Sequence, residues 1–66
     1  MSVAKIIEIS AESPEGFDAA IREGIQKASE SLKNIQGCWV KDQEVKVRDG
    51  KITSYQVTLK ITFILQ

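Results

Sequence analysis

The chain has no histidine, one cysteine, one proline and only 6% aromatic residues in a length of 66 residues. Histidine is the usual general base near neutral pH, so its absence removes the commonest group for acid–base catalysis. The single thiol of Cys38 excludes an intrachain disulfide, and one thiol without histidine is too small a ligand set for a zinc site. These absences indicate a protein that is not an enzyme.

Net charge and long apolar segments are also missing. Nine basic and nine acidic residues cancel, and they are mixed along the chain, so no basic patch indicates a nucleic-acid partner. No apolar run approaches the roughly 20 residues that span a bilayer. The apolar part of MSVAKIIEIS is too short for a secretory signal and is interrupted by Glu8. We therefore expect a cytoplasmic protein with no membrane partner.

The short length limits how the fold can be stabilised. A domain of this size buries roughly 60% of the surface that its unfolded chain exposes, so its core is marginal. Such chains usually depend on disulfides, a structural metal or partner subunits. Since the first two are unsupported here, we expect a single domain, residues 1–66, that is stabilised by association.

The hydrophobic pattern of the first half predicts a strand followed by a helix. Residues 3–10 are rich in β-branched side chains, which favour a strand. Ser13 as N-cap and Pro14 at the first helical position predict a helix over residues 14–34. Its apolar stripe recurs at spacings of three and four residues. The stripe comprises Phe17, Ile21, Gly24, Ala28, Leu32 and Ile35.

The second half predicts two further strands. In residues 38–48, Val40 has the opposite parity to Val45 and Val47, so we expect a β-bulge between Lys41 and Glu44 that returns them to one face. The pair that follows, Asp49-Gly50, is a strong signal for a two-residue hairpin turn.

The last strand, predicted for residues 51–66, alternates apolar and polar side chains and ends in Phe63 and Leu65. At about 3.3 Å per residue, residues 52–65 extend for about 45 Å, whereas a helix over residues 14–34 is about 30 Å long. One helix therefore cannot cover the sheet, and an uncovered apolar strand end must be covered by another subunit.

Trp39 has two interpretations. If Val40 faces the helix, Trp39 faces away from the core on the opposite side of the strand. The indole then packs in a subunit interface, where tryptophan is common. Alternatively, it is a stacking platform for a flat aromatic ligand, and Gln56 on the facing strand supplies an amide that both donates and accepts hydrogen bonds.

Four segments together carry a resemblance to a known family: SAESPEGFDAAIREGI, KASESLKNIQG, WVKDQEVKV and SYQVTLKITFILQ. In order, length and the Tyr55-Gln56-Val57 triplet, the chain resembles a dodecin over nearly all of its residues. The resemblance implies an α+β fold in which a three-stranded antiparallel sheet wraps around one long helix (β-α-β-β), assembled into a hollow homododecamer. It also implies a flavin (riboflavin, FMN or lumichrome) that stacks in pairs between tryptophans of two-fold-related subunits. The implied role is flavin storage rather than turnover.

The correspondence to the family is incomplete at the ligand. Gln56 matches the glutamine that hydrogen-bonds the isoalloxazine edge, but the position of the stacking tryptophan is Gly37 here. Trp39 follows two residues later on the same face, displaced by about 6–7 Å. Glu44 stands where flavin-binding relatives carry an arginine that helps to hold phosphate, which disfavours a phosphorylated flavin.

Two functional hypotheses follow. In the leading one the protein is a flavin-binding storage or buffering dodecamer, with Trp39, Gln56 and Gly37 at the site. In the alternative one it is a dodecin-like shell that binds no flavin and holds cations or another small molecule. The candidate carboxylates for cations are those of Glu8, Glu12, Asp42 and Glu44.

Overall fold

The computed structural model describes residues 3–65 and contains one helix and three strands. In chain order these are β1 (Val3–Ser13), α1 (Phe17–Ser29), β2 (Ile35–Arg48) and β3 (Lys51–Leu65). The strands form one antiparallel sheet in the order β1-β3-β2. The predicted β-α-β-β fold with a three-stranded antiparallel sheet is therefore confirmed. Gln66, the predicted end of the last strand, lies outside the described residues.

The core lies between the central strand β3 and α1. Val57, Leu59 and Ile61 of β3 are fully buried, together with Ala20 of the helix. Burying each large aliphatic side chain stabilises the fold by about 1.5–3 kcal/mol. The alternation of β3 therefore directs one of its two faces at the helix, as the sequence predicts. Partly buried residues complete this core, including Ile7, Ile9, Ala11, Phe17, Ile21 and Ile25.

The helix begins later than predicted. The Ser13 Oγ accepts a hydrogen bond from the Glu15 backbone N–H at 3.1 Å, within the turn before the helix. The N-cap is Gly16, which has φ 149° and provides no side-chain cap. The prediction of Ser13 as N-cap is therefore wrong, because its hydroxyl stabilises the preceding turn and β1 continues through it.

The helix also ends earlier than predicted. The last bonded turn joins the Leu32 N–H to the Ala28 carbonyl, and Asn34 has φ 64°, in the left-handed region that turns the chain away. Ile35, assigned above to the helical stripe, is the first residue of β2. At 13 residues the helix is about 20 Å long. In the described part of the chain, no helix has the length and apolarity needed to cross a membrane.

A β-bulge in β2 has the role that the sequence predicts. The register shifts between Val40 and Asp42, so Lys41 is the extra residue. As a result Val40 pairs with the buried Leu59, and Val45 is brought to the same inner face.

Two further irregularities in the pairing of β2 with β3 were not predicted. One register shift lies between Ile35 and Gly37, and another lies between Lys46 and Val47. After the last shift Val47 pairs with Ile52 and is 61% exposed, so the expectation that Val47 joins the inner face is wrong.

The turn between β2 and β3 is the predicted one. Asp49 and Gly50 have φ values of 53° and 75°. Positive φ at both central residues is the geometry of a type I′ turn, which matches the twist of the strands.

The helix covers only part of the sheet. It packs against β1 and β3, and its contact with β2 is marginal. Ser13, at the end of β1, pairs with Tyr55, so Lys51–Ser54 and the facing part of β2 extend beyond β1 by about 13 Å. The single chain is accordingly elongated, with a longest dimension of 52 Å. The large side chains left exposed are Val3, Ile6, Trp39, Val40, Val47, Ile52 and Leu65.

Two glycines provide a matched test of this packing. A Cβ atom on Gly24 would lie 3.1 Å from both the Ala11 Cβ and the Leu59 Cδ1, whereas a Cβ on Gly37 would meet nothing within 4 Å. We expect Gly24→Val to lower the free energy of unfolding by about 1–3 kcal/mol through overpacking. Gly37→Val should be neutral or stabilising by up to about 1 kcal/mol, because valine favours a strand.

Thermal or urea unfolding at one fixed protein concentration measures both effects, since self-association makes the apparent stability depend on concentration. Equal destabilisation by the two substitutions would contradict the close approach of α1 to the sheet at Gly24.

Candidate functional site

The candidate residues lie on the face of the sheet that is turned away from α1, which we call the outer face. Along β3 its side chains alternate with the buried Val57, Leu59 and Ile61. Pairing with the edge strands aligns the outer side chains in rows. Three rows occupy the middle of this face: Glu8–Lys60–Trp39, Ser10–Thr58–Asp42 and Glu12–Gln56–Glu44.

Trp39 is the most prominent side chain of the outer face. It pairs with Lys60, and its side chain is 74% exposed, so it points away from the core as predicted. The indole borders a shallow cleft of about 200 Å³ together with Ile6, Lys60 and Thr62. An indole that is accessible on its ring face can stack against another flat aromatic system.

Gly37 lies next to Trp39 on the same face. It pairs with Thr62, two positions from Lys60 along β3, and the space above it is open. The face is therefore open at Gly37, and the Trp39 indole stands one outer-face position, about 6–7 Å, away.

Gln56 is held by neighbours on its own sheet. Its Nε2 donates a hydrogen bond to the Ser10 Oγ at 2.9 Å. Gln56 and Lys60 are four residues apart on β3, so the Gln56 and Trp39 rows are separated by about 13 Å. One chain does not bring these two candidate residues together. A ligand that contacts both must bridge that distance or take them from different copies.

The carboxylates of the outer face are partly engaged. Glu8 Oε1 accepts a hydrogen bond from Lys41 Nζ at 3.2 Å, in an ion pair across the sheet. Glu12 Oε2 accepts one from the Ser54 hydroxyl at 2.7 Å. Within residues 3–65, no three histidine, cysteine, aspartate or glutamate side chains converge as a metal site would require. A cation site on this face would need ligands from more than one copy.

Lys60 and Ser10 are residues of the candidate site that the sequence did not indicate. Lys60 lies beside the indole, and Ser10 orients the Gln56 amide. Both lie on the outer face by simple alternation. Their neighbours, however, depend on strand register, which the pattern of a single strand does not reveal.

Cys38 is placed as a packing residue. It pairs with the buried Ile61 and is half-buried, and its thiol donates a weak hydrogen bond to the Trp39 carbonyl at 3.7 Å. Burial raises the pKa of the Cys38 thiol. Because the thiolate is the nucleophilic form, this environment opposes a catalytic role.

Comparison with known proteins identifies the family to which this fold belongs. The family model Dodecin matches residues 3–66. A curated relative from Mycobacterium tuberculosis, calcium dodecin, is 38% identical over 64 residues, covering 96% of this chain and 89% of the relative. Dodecin from Thermus thermophilus is 30% identical over 64 residues, covering 97% and 93%.

Solved structures agree with these sequence matches. Dodecin from Streptomyces davaonensis superposes with a TM-score of 0.92 at 38% identity, covering 98% of this chain and 96% of that one. The crystal structure of the M. tuberculosis protein, described as having a novel calcium-binding site, gives a TM-score of 0.84 at 33% identity, covering 98% and 93%. The chain belongs to the dodecin family.

The raised pKa of Cys38 makes a testable prediction. The folded thiol keeps its proton to a higher pH than the unfolded thiol, so at mildly alkaline pH it should react severalfold more slowly with iodoacetamide than in urea. The matching contribution to stability is complete below the unfolded pKa and is lost as the pH rises through the folded pKa. Cys38→Ser is the control for off-target labelling, and equal rates in the two states would contradict the assigned burial.

Proposed function

We propose that the protein is a homo-oligomeric binding protein that stores or buffers a flavin on the outer face of its sheet. The exposed indole of Trp39 carries this proposal. A single chain leaves this large aromatic ring in water beside a cleft, so a ring stacked on it would remove apolar surface from water on both partners.

Stacking on an accessible aromatic side chain contributes about 1–3 kcal/mol per ring, which is enough to orient a ligand but not to hold it tightly alone. A second copy facing the first across a two-fold axis would supply a second Trp39 and enclose the ring. Members of the dodecin family are oligomeric. The proposal therefore places the ligand between copies.

The polar groups near this position favour a flavin without phosphate. Gln56 offers both a donor and an acceptor for the edge of the ring, and Ser10 holds its amide in place. Glu44, which pairs with Gln56, adds a negative charge where a phosphate would be repelled. Riboflavin or lumichrome is thus preferred over FMN.

A titration of riboflavin fluorescence against the purified oligomer tests this proposal. Binding should quench the flavin, and Trp39→Ala should weaken it by about 1–3 kcal/mol, whereas Trp39→Phe should retain most of it. Gly37→Trp fills the open family position and serves as a reference that is competent for stacking. Quenching by Gly37→Trp but none by the unmodified chain would overturn flavin binding and leave the fold assignment intact.

A second candidate function is cation binding by a shell that takes no flavin. The observation that favours it is the 38% identity to a relative named calcium dodecin. Calcium prefers six to eight oxygen ligands, and the outer face presents carboxylate, amide and hydroxyl oxygens in adjacent rows. The carboxylates of Glu12 and Glu44, on either side of Gln56, are the ones we assign to it.

Calcium should then raise the melting temperature of the assembly, since a ligand that binds only the folded state stabilises it by mass action. At 100 times its Kd the gain is about 2.7 kcal/mol. Glu12→Gln combined with Glu44→Gln should abolish this shift, whereas Glu15→Gln, near the start of the helix, should not. A melting temperature that calcium leaves unchanged would exclude this candidate.

A further inference from the structure

We propose that the tip of the β2–β3 hairpin, residues 46–52, docks into the groove between α1 and β1 of a neighbouring copy of the same chain. The contact rests on the self-association in the proposed function but needs neither a flavin nor a cation to form. Of its residues, only Glu12 also belongs to the candidate cation site.

The hairpin tip lacks cover from its own chain. It lies beyond the end of β1, and its paired side chains Val47 and Ile52 are 61% and 52% exposed. Lys46, Arg48 and Lys51 are positive at the tip, while Asp49 is negative, so the net charge is about +2. A protruding apolar pair surrounded by basic residues is suited to an apolar groove with an acidic rim.

Such a groove lies along the opposite side of the molecule. It has a volume of about 710 Å³ between the second half of α1 and the free edge of β1. Its floor is apolar and consists mostly of small residues where the helix approaches the sheet most closely. The floor residues are Ile9, Ala11, Gly24 and Ala28.

The charges on the rim complement those of the tip. Glu12, Glu23 and Glu30 line the groove together with Lys27, giving a net charge of about −2. Lys27 is already paired with Glu30 at 3.3 Å, so the remaining negative charge lies on Glu12 and Glu23. An incoming basic tip therefore meets attraction rather than repulsion along the rim.

The same contact would protect an unpaired strand edge. β1 is an edge strand of the three-stranded sheet, and its unpaired edge borders the groove. Exposed strand edges promote unspecific pairing unless another element covers them. A docked hairpin covers the edge and the apolar floor together.

Geometry excludes the tip of the same chain as the occupant. At the start of the helix, Phe17 of α1 lies against Tyr55 of β3, with ring centroids 5.1 Å apart. This contact is the reference point for two distances. Lys51 lies about 13 Å beyond Tyr55 along β3, and Glu23 lies about 9 Å in the other direction along α1. Tip and groove are thus about 20 Å apart in one chain. The contact is heterologous, and heterologous contacts build closed rings when their rotation closes.

A charge swap tests the contact. Arg48→Glu with Lys51→Glu should weaken the assembly. The protein concentration at which the variant dissociates should be roughly tenfold or more higher than the concentration at which the unmodified assembly dissociates. Light scattering at low salt measures both concentrations. Glu23→Lys with Glu30→Lys should do the same. The four substitutions together should restore the assembly, because the attraction is re-established with the signs exchanged.

The control is Arg22→Glu with Lys33→Glu, which changes the net charge by the same amount outside both surfaces and should leave the assembly intact. Circular dichroism verifies that each variant is folded. The proposal is overturned if the folded tip variant keeps its mass, or if the fourfold variant is as dissociated as either parent.

Disulfide cross-linking tests the docking of the hairpin even if a charge variant does not fold. The variant for this test carries Glu23→Cys and Lys51→Cys in a Cys38→Ser chain. The two new cysteines are too far apart to form a disulfide within one copy, because a disulfide requires Cα atoms within about 7 Å. Mild oxidation should give a ladder of linked chains on a non-reducing gel, whereas each single cysteine should give at most dimers. Unlinked chains after oxidation of the intact oligomer would refute the docking.

Discussion

The structure depends on a mismatch between one short helix and a sheet that is much longer. The 13 residues of α1 extend for about 20 Å, whereas the 15 residues of β3 extend for about 50 Å. Only the central part of β3 is fully buried, and apolar side chains at both ends of the sheet stay in contact with water. Chains of this size usually need partner subunits to complete their core, and members of the dodecin family are oligomeric.

This mismatch also determines which face of the sheet carries the candidate site. The inner face of the sheet is occupied by the helix, so the only extended rows of polar side chains lie on the outer face of residues 3–65. There the Trp39 and Gln56 rows are about 13 Å apart, with the row of Thr58 between them. In the proposed function, a face of this kind is a half-site that a second copy would complete. Under that proposal assembly and binding are linked, since the contacts that cover the sheet would also bring the half-sites together.

Features that depend on one segment were predictable, including the bulge at Lys41 that the parity of the valines in β2 indicates, whereas most features that depend on pairing were not. The alternation of β3 and the Asp49-Gly50 turn follow from local chemistry, and the structure confirms both. The helix start was misplaced because a hydroxyl such as that of Ser13 stabilises turns as readily as helix N-termini. The distance between Trp39 and Gln56 was not predictable, because the register shifts of β2 are set by pairing with β3.

The bulge at Lys41 shows how one residue connects the core to the site. Beyond it, Glu44 pairs with Gln56 and Asp42 pairs with Thr58, and this register, continued without a bulge, would pair Trp39 with the buried Ile61. The indole would then point at the helix, and Val40 would point into water. The extra residue reverses both orientations, since a shift of one residue exchanges the faces of a strand. The same irregularity therefore directs Val40 towards the inner face and Trp39 towards the outer face. A chain that lost it could not keep both its packing and its exposed ring.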